Sequence, residues 1–275
     1  MNVSGTPFSD NIEVSSKSPS TNILTLHSVA KSFAGLKAVN AVSLEVHKNS
    51  LTALIGPNGA GKTTLFALIS GFIKPDTGTI YYTGVDITGV APFVNARNGL
   101  TRTFQIVQPF AGQTVLENVA VGAHLHYTKR SLALEYASHV IEKMGLLPHA
   151  HKLSSDLTIA FRKRLELAKA LATQPKLILL DEVLAGLNPR EIQEMIPLVK
   201  SLVTGGVTVL MIEHVMQAVM NLAEKVYVLD HGALIAEGTP REVTQNEMVI
   251  EAYLGKGTAE RLNRKSTKLD MKAHS

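Results

Sequence analysis

The sequence predicts an α/β fold built on a parallel sheet, with a helical segment inserted into it. Three observations carry this. Leu51-Thr-Ala-Leu-Ile55 and residues 177–180, 207–212 and 226–229 are short, continuous apolar runs, the pattern of strands covered on both faces. Stretches of helical spacing lie between them, such as 162–172 with Leu165, Ala168, Leu171 and Ala172 on one face. Strands that alternate with helices pair in parallel. From about Pro92 to Leu147 the character turns helical, with Ser131 and Gly145 as candidate caps.

The elements follow in order. Residues 1–22 are Ser- and Asn-rich without an apolar h-region, so they read as a disordered leader rather than a signal peptide. Ile23, Leu24 and Leu26, then Val42, Leu44 and Val46, alternate as short strands do. The run ending at Ile55 reads as a buried strand closed by Gly56. Lys62 to Ser70 reads as a helix stopped by Gly71, and Thr79 to Tyr82 as a hairpin strand.

Composition bounds the chemistry. Of 275 residues, 45% are hydrophobic and 18% charged, a folding composition. The absence of cysteine excludes disulfides, thiolate metal sites and cysteine nucleophiles. No apolar run approaches a membrane span, and a soluble intracellular protein is expected. The net charge of +4 resides in residues 256–275, which hold six basic and two acidic residues. The remainder is neutral, which argues against a nucleic-acid partner, since such a partner needs a basic face. The basic tail reads as a disordered, solvated end, with weak attraction to anionic lipid as the alternative.

Gly56-Pro-Asn58-Gly59-Ala60-Gly61-Lys62-Thr63, followed by Thr64, fits G-x-x-x-x-G-K-[ST] between a predicted strand and a predicted helix. Glycines let successive backbone N–H groups wrap a phosphate, and the helix points its positive end at the same anion. Lys62 suits the β- and γ-phosphates, and the Thr63 hydroxyl suits Mg²⁺. By chance the pattern would arise in roughly 1% of chains this long. A second motif is Leu177-Ile-Leu-Leu-Asp181-Glu182, an apolar strand ending in two acids. If its C-terminal end lies next to the phosphate loop, Asp181 suits Mg²⁺. Glu182, on the other face of the pleat, then suits a base or water-orienter.

At these motifs the sequence resembles the ATP-binding cassette (ABC) ATPases over about residues 23–254. The resemblance implies a mixed sheet with flanking helices and an antiparallel part, within a domain at 23–255, with a helical subdomain inserted at about 90–157. It implies ATP and Mg²⁺ as ligands. It makes Gln105, in Arg102-Thr-Phe-Gln105, the residue that touches Mg²⁺ and the attacking water. His214, in Met211-Ile-Glu-His214, becomes the γ-phosphate contact, and Asn188 a residue facing a partner cassette. Phe33 occupies the adenine-stacking position, although a lone Phe is more often core. His124/His126 and His149/His151 have metal-like proximity, but no acid or Cys cluster accompanies them.

Ala34-Gly-Leu-Lys-Ala-Val39, Ala185-Gly-Leu-Asn-Pro189 and Glu251-Ala-Tyr-Leu254 are similar to the ATPases of bacterial branched-chain amino acid importers. That implies two transmembrane permeases, a second ATPase chain and a periplasmic or extracellular binding protein. It also implies a place on the cytoplasmic face of the inner membrane. Val107, Pro109 and Phe110 form a candidate permease-docking edge, with ordinary packing as the alternative.

The signature stretch departs from the family pattern. It reads Leu157-Thr158-Ile-Ala160-Phe161 in place of L-S-G-G-Q. Thr158 keeps a hydroxyl, Ala160 adds a methyl expected to face nucleotide, and Phe161 is expected to face the partner's phosphate loop. Val183 stands where the family usually has Pro. The departure motivates a second reading, a nucleotide-gated regulatory subunit with weak hydrolysis. A soluble ABC ATPase acting away from transport is a third.

Overall fold

A computed structural model describes residues 21–105 and 108–254. Of the proposed leader 1–22, residues up to 20 lie outside the described residues, as do the basic tail and Val107, while Asn22 is already the first residue of a strand. The chain opens with β1 (Asn22–Phe33) and β2 (Leu36–His47), then β3 (Leu51–Ile55), α1 (Lys62–Ile69), β4 (Thr77–Tyr82) and β5 (Val85–Asp86). Next come α2 (Pro92–Arg97), β6 (Leu100–Arg102), α3 (Val115–Ala123), α4 (Arg130–Lys143), α5 (Ile159–Leu171) and β7 (Leu177–Asp181). The chain continues through α6 (Pro189–Thr204), β8 (Thr208–Ile212), α7 (Met216–Leu222), β9 (Lys225–Asp230), β10 (Ala233–Gly238), α8 (Pro240–Gln245) and α9 (Glu247–Leu254).

Two sheets result. The six-stranded one has the order β10-β9-β3-β8-β7-β6, parallel throughout except for the antiparallel edge pair β9–β10. The four-stranded one, β2-β1-β4-β5, is antiparallel. The apolar runs are continuous because the larger sheet is covered on both faces, and alternate residues serve different cores. Leu177 and Leu179 enter one core with α1 and the antiparallel sheet, whereas Ile178 and Leu180 enter the other with α3 to α7. Tyr227 ties the two sheets together: its buried hydroxyl accepts from the Glu45 N–H (3.1 Å) and donates to the Glu45 carbonyl (2.9 Å).

Several local expectations change. β1 and β2 are long, twelve residues each, because they form one hairpin closed by Ala34 and Gly35, both at positive φ. Ser131 is not a cap: α4 begins at Arg130 after Lys129, without a side-chain cap. Gly145 does end that helix, at φ 66°. The stretch from Pro92 is not helical throughout, since residues 100–102 form the edge strand β6.

Candidate active site

The phosphate loop joins β3 to α1 at the C-terminal edge of the parallel sheet, where open α/β sheets hold their ligands. Its glycines answer to space as well as conformation. A Cβ on Gly56 (φ 150°) would lie 2.0 Å from the Leu229 carbonyl oxygen, and one on Gly61 (φ 99°) 2.1 Å from that of Ala38. No side chain caps α1 and no acid sits in its first turn, which leaves its first N–H groups available to an anion. Lys62 curls back over the loop, donating to the carbonyls of Gly56 (2.7 Å) and Pro57 (2.9 Å). Burial lowers its pKa, and the charges of Glu182 and Asp181 oppose that shift.

The loop forms one wall of a cavity of about 540 Å³ that contains Asn58, Gly59, Ala60, Gly61, Lys62, Thr63 and Thr64. Gln105 and Glu182 line the same cavity. Gln105 Nε2 donates to Glu182 Oε2 at 2.7 Å, and His214 Nδ1 stands 3.9 Å from that oxygen. Lys37, the second residue of β2, and His231, after β9, also line the cavity. Nothing in the local sequence pattern marked these two residues.

The two acids reach the site by a different route from the one expected. β7 does not lie beside β3, because β8 is inserted between them. Glu182 is not part of the strand's pleat: β7 ends at Asp181, and Glu182 takes a left-handed turn conformation, φ 48°. That turn, rather than strand alternation, aims its carboxylate at the phosphate loop. Such a conformation costs a non-glycine residue about 1–3 kcal/mol and persists only where its surroundings enforce it.

Asp181 is buried at 2% exposure. Burial raises its pKa, and the Arg102 guanidinium, 2.8 Å from Oδ2, opposes the shift. Its second oxygen, Oδ1, is buried without a hydrogen-bond partner. Asp181 offers this orphaned carboxylate oxygen, and Thr63 and Gln105, which line the cavity, offer a hydroxyl and an amide oxygen; oxygen donors of this kind fit a hard cation such as Mg²⁺.

Other expected site residues lie elsewhere. Phe33 is neither core nor cavity wall: it is 44% exposed, with the Lys31 ammonium 5.6 Å from its ring. Asn188 is exposed and caps its own helix, α6, accepting from the Glu191 N–H at 3.0 Å. Thr158 is the exposed residue preceding α5, whose first turn carries no acid. Ala160, the next residue but one, is buried. The Phe161 ring packs inward, 4.3 Å from the His149 ring and under the Arg164 guanidinium at 5.3 Å. Phe161 is partly buried against the core that α5 shares with its neighbouring helices. The His124 and His126 rings meet the backbone carbonyls of Tyr127 and Thr173, each at 2.9 Å.

Three charged residues around the site escaped the sequence reading of chemistry: Arg102, Lys163 and Glu213. Glu213 is fully buried, accepts from the Leu184 N–H at 3.0 Å, and has its pKa pushed up to about 7 by burial.

Comparison with known proteins agrees with this geometry. Residues 39–185 match the ABC transporter family model, and residues 233–259 match that of the branched-chain amino acid ATP-binding cassette transporter. The high-affinity branched-chain amino acid transport ATP-binding protein LivG of Salmonella typhimurium is 40% identical over 249 residues, 85% of this chain and 98% of its own length. BraF of Pseudomonas aeruginosa, of the same description, is 39% identical with the same coverage. Two solved ATP-binding cassettes of ABC transporters, one nucleotide-free and one in an ADP conformation, each superpose with a TM-score of 0.79 at 33% identity. Each covers 86% of this chain and 100% of its own. The chain therefore belongs to the ATP-binding proteins of ABC transporters and is a nucleotide-binding, transport-coupled ATPase.

Proposed function

We propose that this chain hydrolyses ATP with Mg²⁺ to drive an importer of branched-chain amino acids or related small polar solutes. The observation that carries the chemistry is the Gln105–Glu182 pair at 2.7 Å in one cavity with Lys62. The cargo rests on the names of the relatives.

The loop N–H groups and the end of α1 bind the phosphates, and Lys62 swings from its own carbonyls to the β- and γ-phosphates. Thr63, Asp181 and Gln105 would hold Mg²⁺, which when bound neutralises phosphate charge. Glu182 accepts a hydrogen bond from the attacking water and orients it in line, Gln105 fixes the Glu182 carboxylate, and His214 donates toward the γ-phosphate. The open N-terminus of α5 serves a second cassette, so turnover needs a dimer.

Permease subunits dock in a groove of about 630 Å³ between the segment ending at Gln105 and helices α3 and α5. Phe104 and Phe110, each about half exposed, offer its apolar contacts, with Pro109 at the edge. Among the described residues no helix is long and apolar enough to cross a membrane, so attachment to the cytoplasmic face runs through those permeases. A weakly hydrolysing regulatory subunit is the second reading, favoured by the signature stretch Leu157-Thr158-Ile-Ala160-Phe161.

The test is Glu182→Gln. The expected result is intact nucleotide binding, turnover reduced by at least about 10²-fold, and recovery of two permeases from native membranes with Mg²⁺–ATP. Unchanged turnover would overturn the catalytic assignment. Recovery of ribosomes or nucleic acid would overturn the transport one.

A further inference from the structure

Lys163 lies in the second turn of α5, the helix whose N-terminus faces a partner cassette in the reading above. Its residue exposure is 5%. A buried ammonium is costly unless its donors are used. Here Nζ donates to the carbonyl of Glu182 at 3.0 Å and to that of Gln105 at 3.4 Å. These are the two residues whose side chains meet at 2.7 Å on the cavity wall. One cation therefore holds the backbones of both.

The Glu182 backbone needs holding. Its φ of 48° is unfavourable for glutamate, and the turn is fixed by few contacts. The Glu182 N–H donates to Ile212, the Ala185 N–H returns to the Glu182 carbonyl, and the Leu184 N–H donates to the buried carboxylate of Glu213. Lys163 and Glu213 bracket the turn from two elements, α5 and the segment after β8. Charge-assisted hydrogen bonds are the strongest of these restraints.

We infer that Lys163 is a positioning residue, which sets the Glu182 and Gln105 side chains for catalysis and ties their placement to that of α5. A shift of α5 when its N-terminus engages a partner's nucleotide then moves the chain's own hydrolytic pair. The inference rests on the proposed role of Glu182.

The experiment compares Lys163→Met, Lys163→Gln, Lys163→Arg and Glu182→Gln in the full chain. It measures kcat and KM for Mg²⁺–ATP, affinity for a fluorescent ATP analogue, and thermal unfolding. A misplacement near 1 Å costs on the order of 10²-fold in rate. Lys163→Met is therefore expected to lower kcat by about that factor while KM and analogue affinity stay within about threefold. Lys163→Arg, which keeps charge and donors, is expected to recover most of kcat, with Lys163→Gln in between. The Gln and Arg variants keep the test alive if the Met variant does not fold. A kcat near wild type in Lys163→Met, alongside an inactive Glu182→Gln, overturns this inference alone. Parallel loss of affinity and kcat, or no recovery with Arg, reduces Lys163 to a structural residue and also overturns it. Full turnover in Glu182→Gln removes the reading on which the inference stands.

Discussion

Replacing Arg102 by Met should destabilise the nucleotide-free protein by several kcal/mol. The Arg102–Asp181 pair is 2.8 Å long, with side-chain exposures of 8% and 2%. Removing one partner of a buried pair strands the other charge, at a cost of about 3–5 kcal/mol. Methionine follows the path of the arginine stem among Phe66, Phe72 and Phe104, so packing loss is the smaller part. In a domain of this size the cost corresponds to a fall of about 6–20 °C in melting temperature. The sign with pH follows from Asp181, whose pKa in the folded protein already lies above its ordinary value of 3.8. An acid of that kind favours the folded state below its unfolded pKa and loses that contribution as pH rises through the folded one. Without Arg102 the folded value rises further, so the gap between variant and wild type should be wide at pH 8 and narrow toward acid. Combining Arg102→Met with Asp181→Asn removes the stranded charge and should restore stability to within about 1 kcal/mol. Thermal unfolding followed by circular dichroism at several pH values decides it. A gap at pH 8 below about 1 kcal/mol, or a double variant as unstable as the single, would refute the buried-pair argument.

Two further outcomes test the site's surroundings. Burial pushes Glu213 up to about 7, so wild-type stability contributed by its protonated form should be lost as pH rises from 4.5 through about 7. Glu213→Gln should flatten that slope, worth about 3 kcal/mol; an unchanged slope in melting temperature against pH assigns it to other groups. Phe161→Ala should cost about 1–3 kcal/mol, part of the full Phe→Ala penalty, because the ring is half-buried on His149 and Arg164. Its turnover should change by less than about tenfold. A larger loss of turnover at unchanged melting temperature would place the ring against nucleotide instead.

What could be read from the chain divides by the range of the forces involved. The phosphate loop was legible because its requirements are local: left-handed turns, close backbone approach and one lysine all fall within eight residues. β3, β7 and β8 were legible because double-sided burial writes itself as an unbroken apolar run. β6 and β10 were not. The first has three residues, and the second is a partly exposed edge whose four apolar residues, Ala233 to Ala236, are followed at once by Glu237 and Gly238. The orientation of Glu182 was reached from the wrong premise, since a strand's alternation cannot foretell a residue forced to φ 48°. Phe33 and Phe161 show the same limit for aromatics: a lone ring carries no mark of whether it faces solvent or core. The charged residues make the case most clearly. Arg102 and Lys163 carry no local mark of burial, and the groups they bond to are 79 and 19 residues away. A buried charge is stable only through such distant partners, so no window of sequence around Lys163 contains the reason it lies inside. The same dependence makes these residues suited to carry information. A group held by carbonyls from two separate loops responds to any motion between them, whereas the phosphate loop, fixed by its own neighbours, does not.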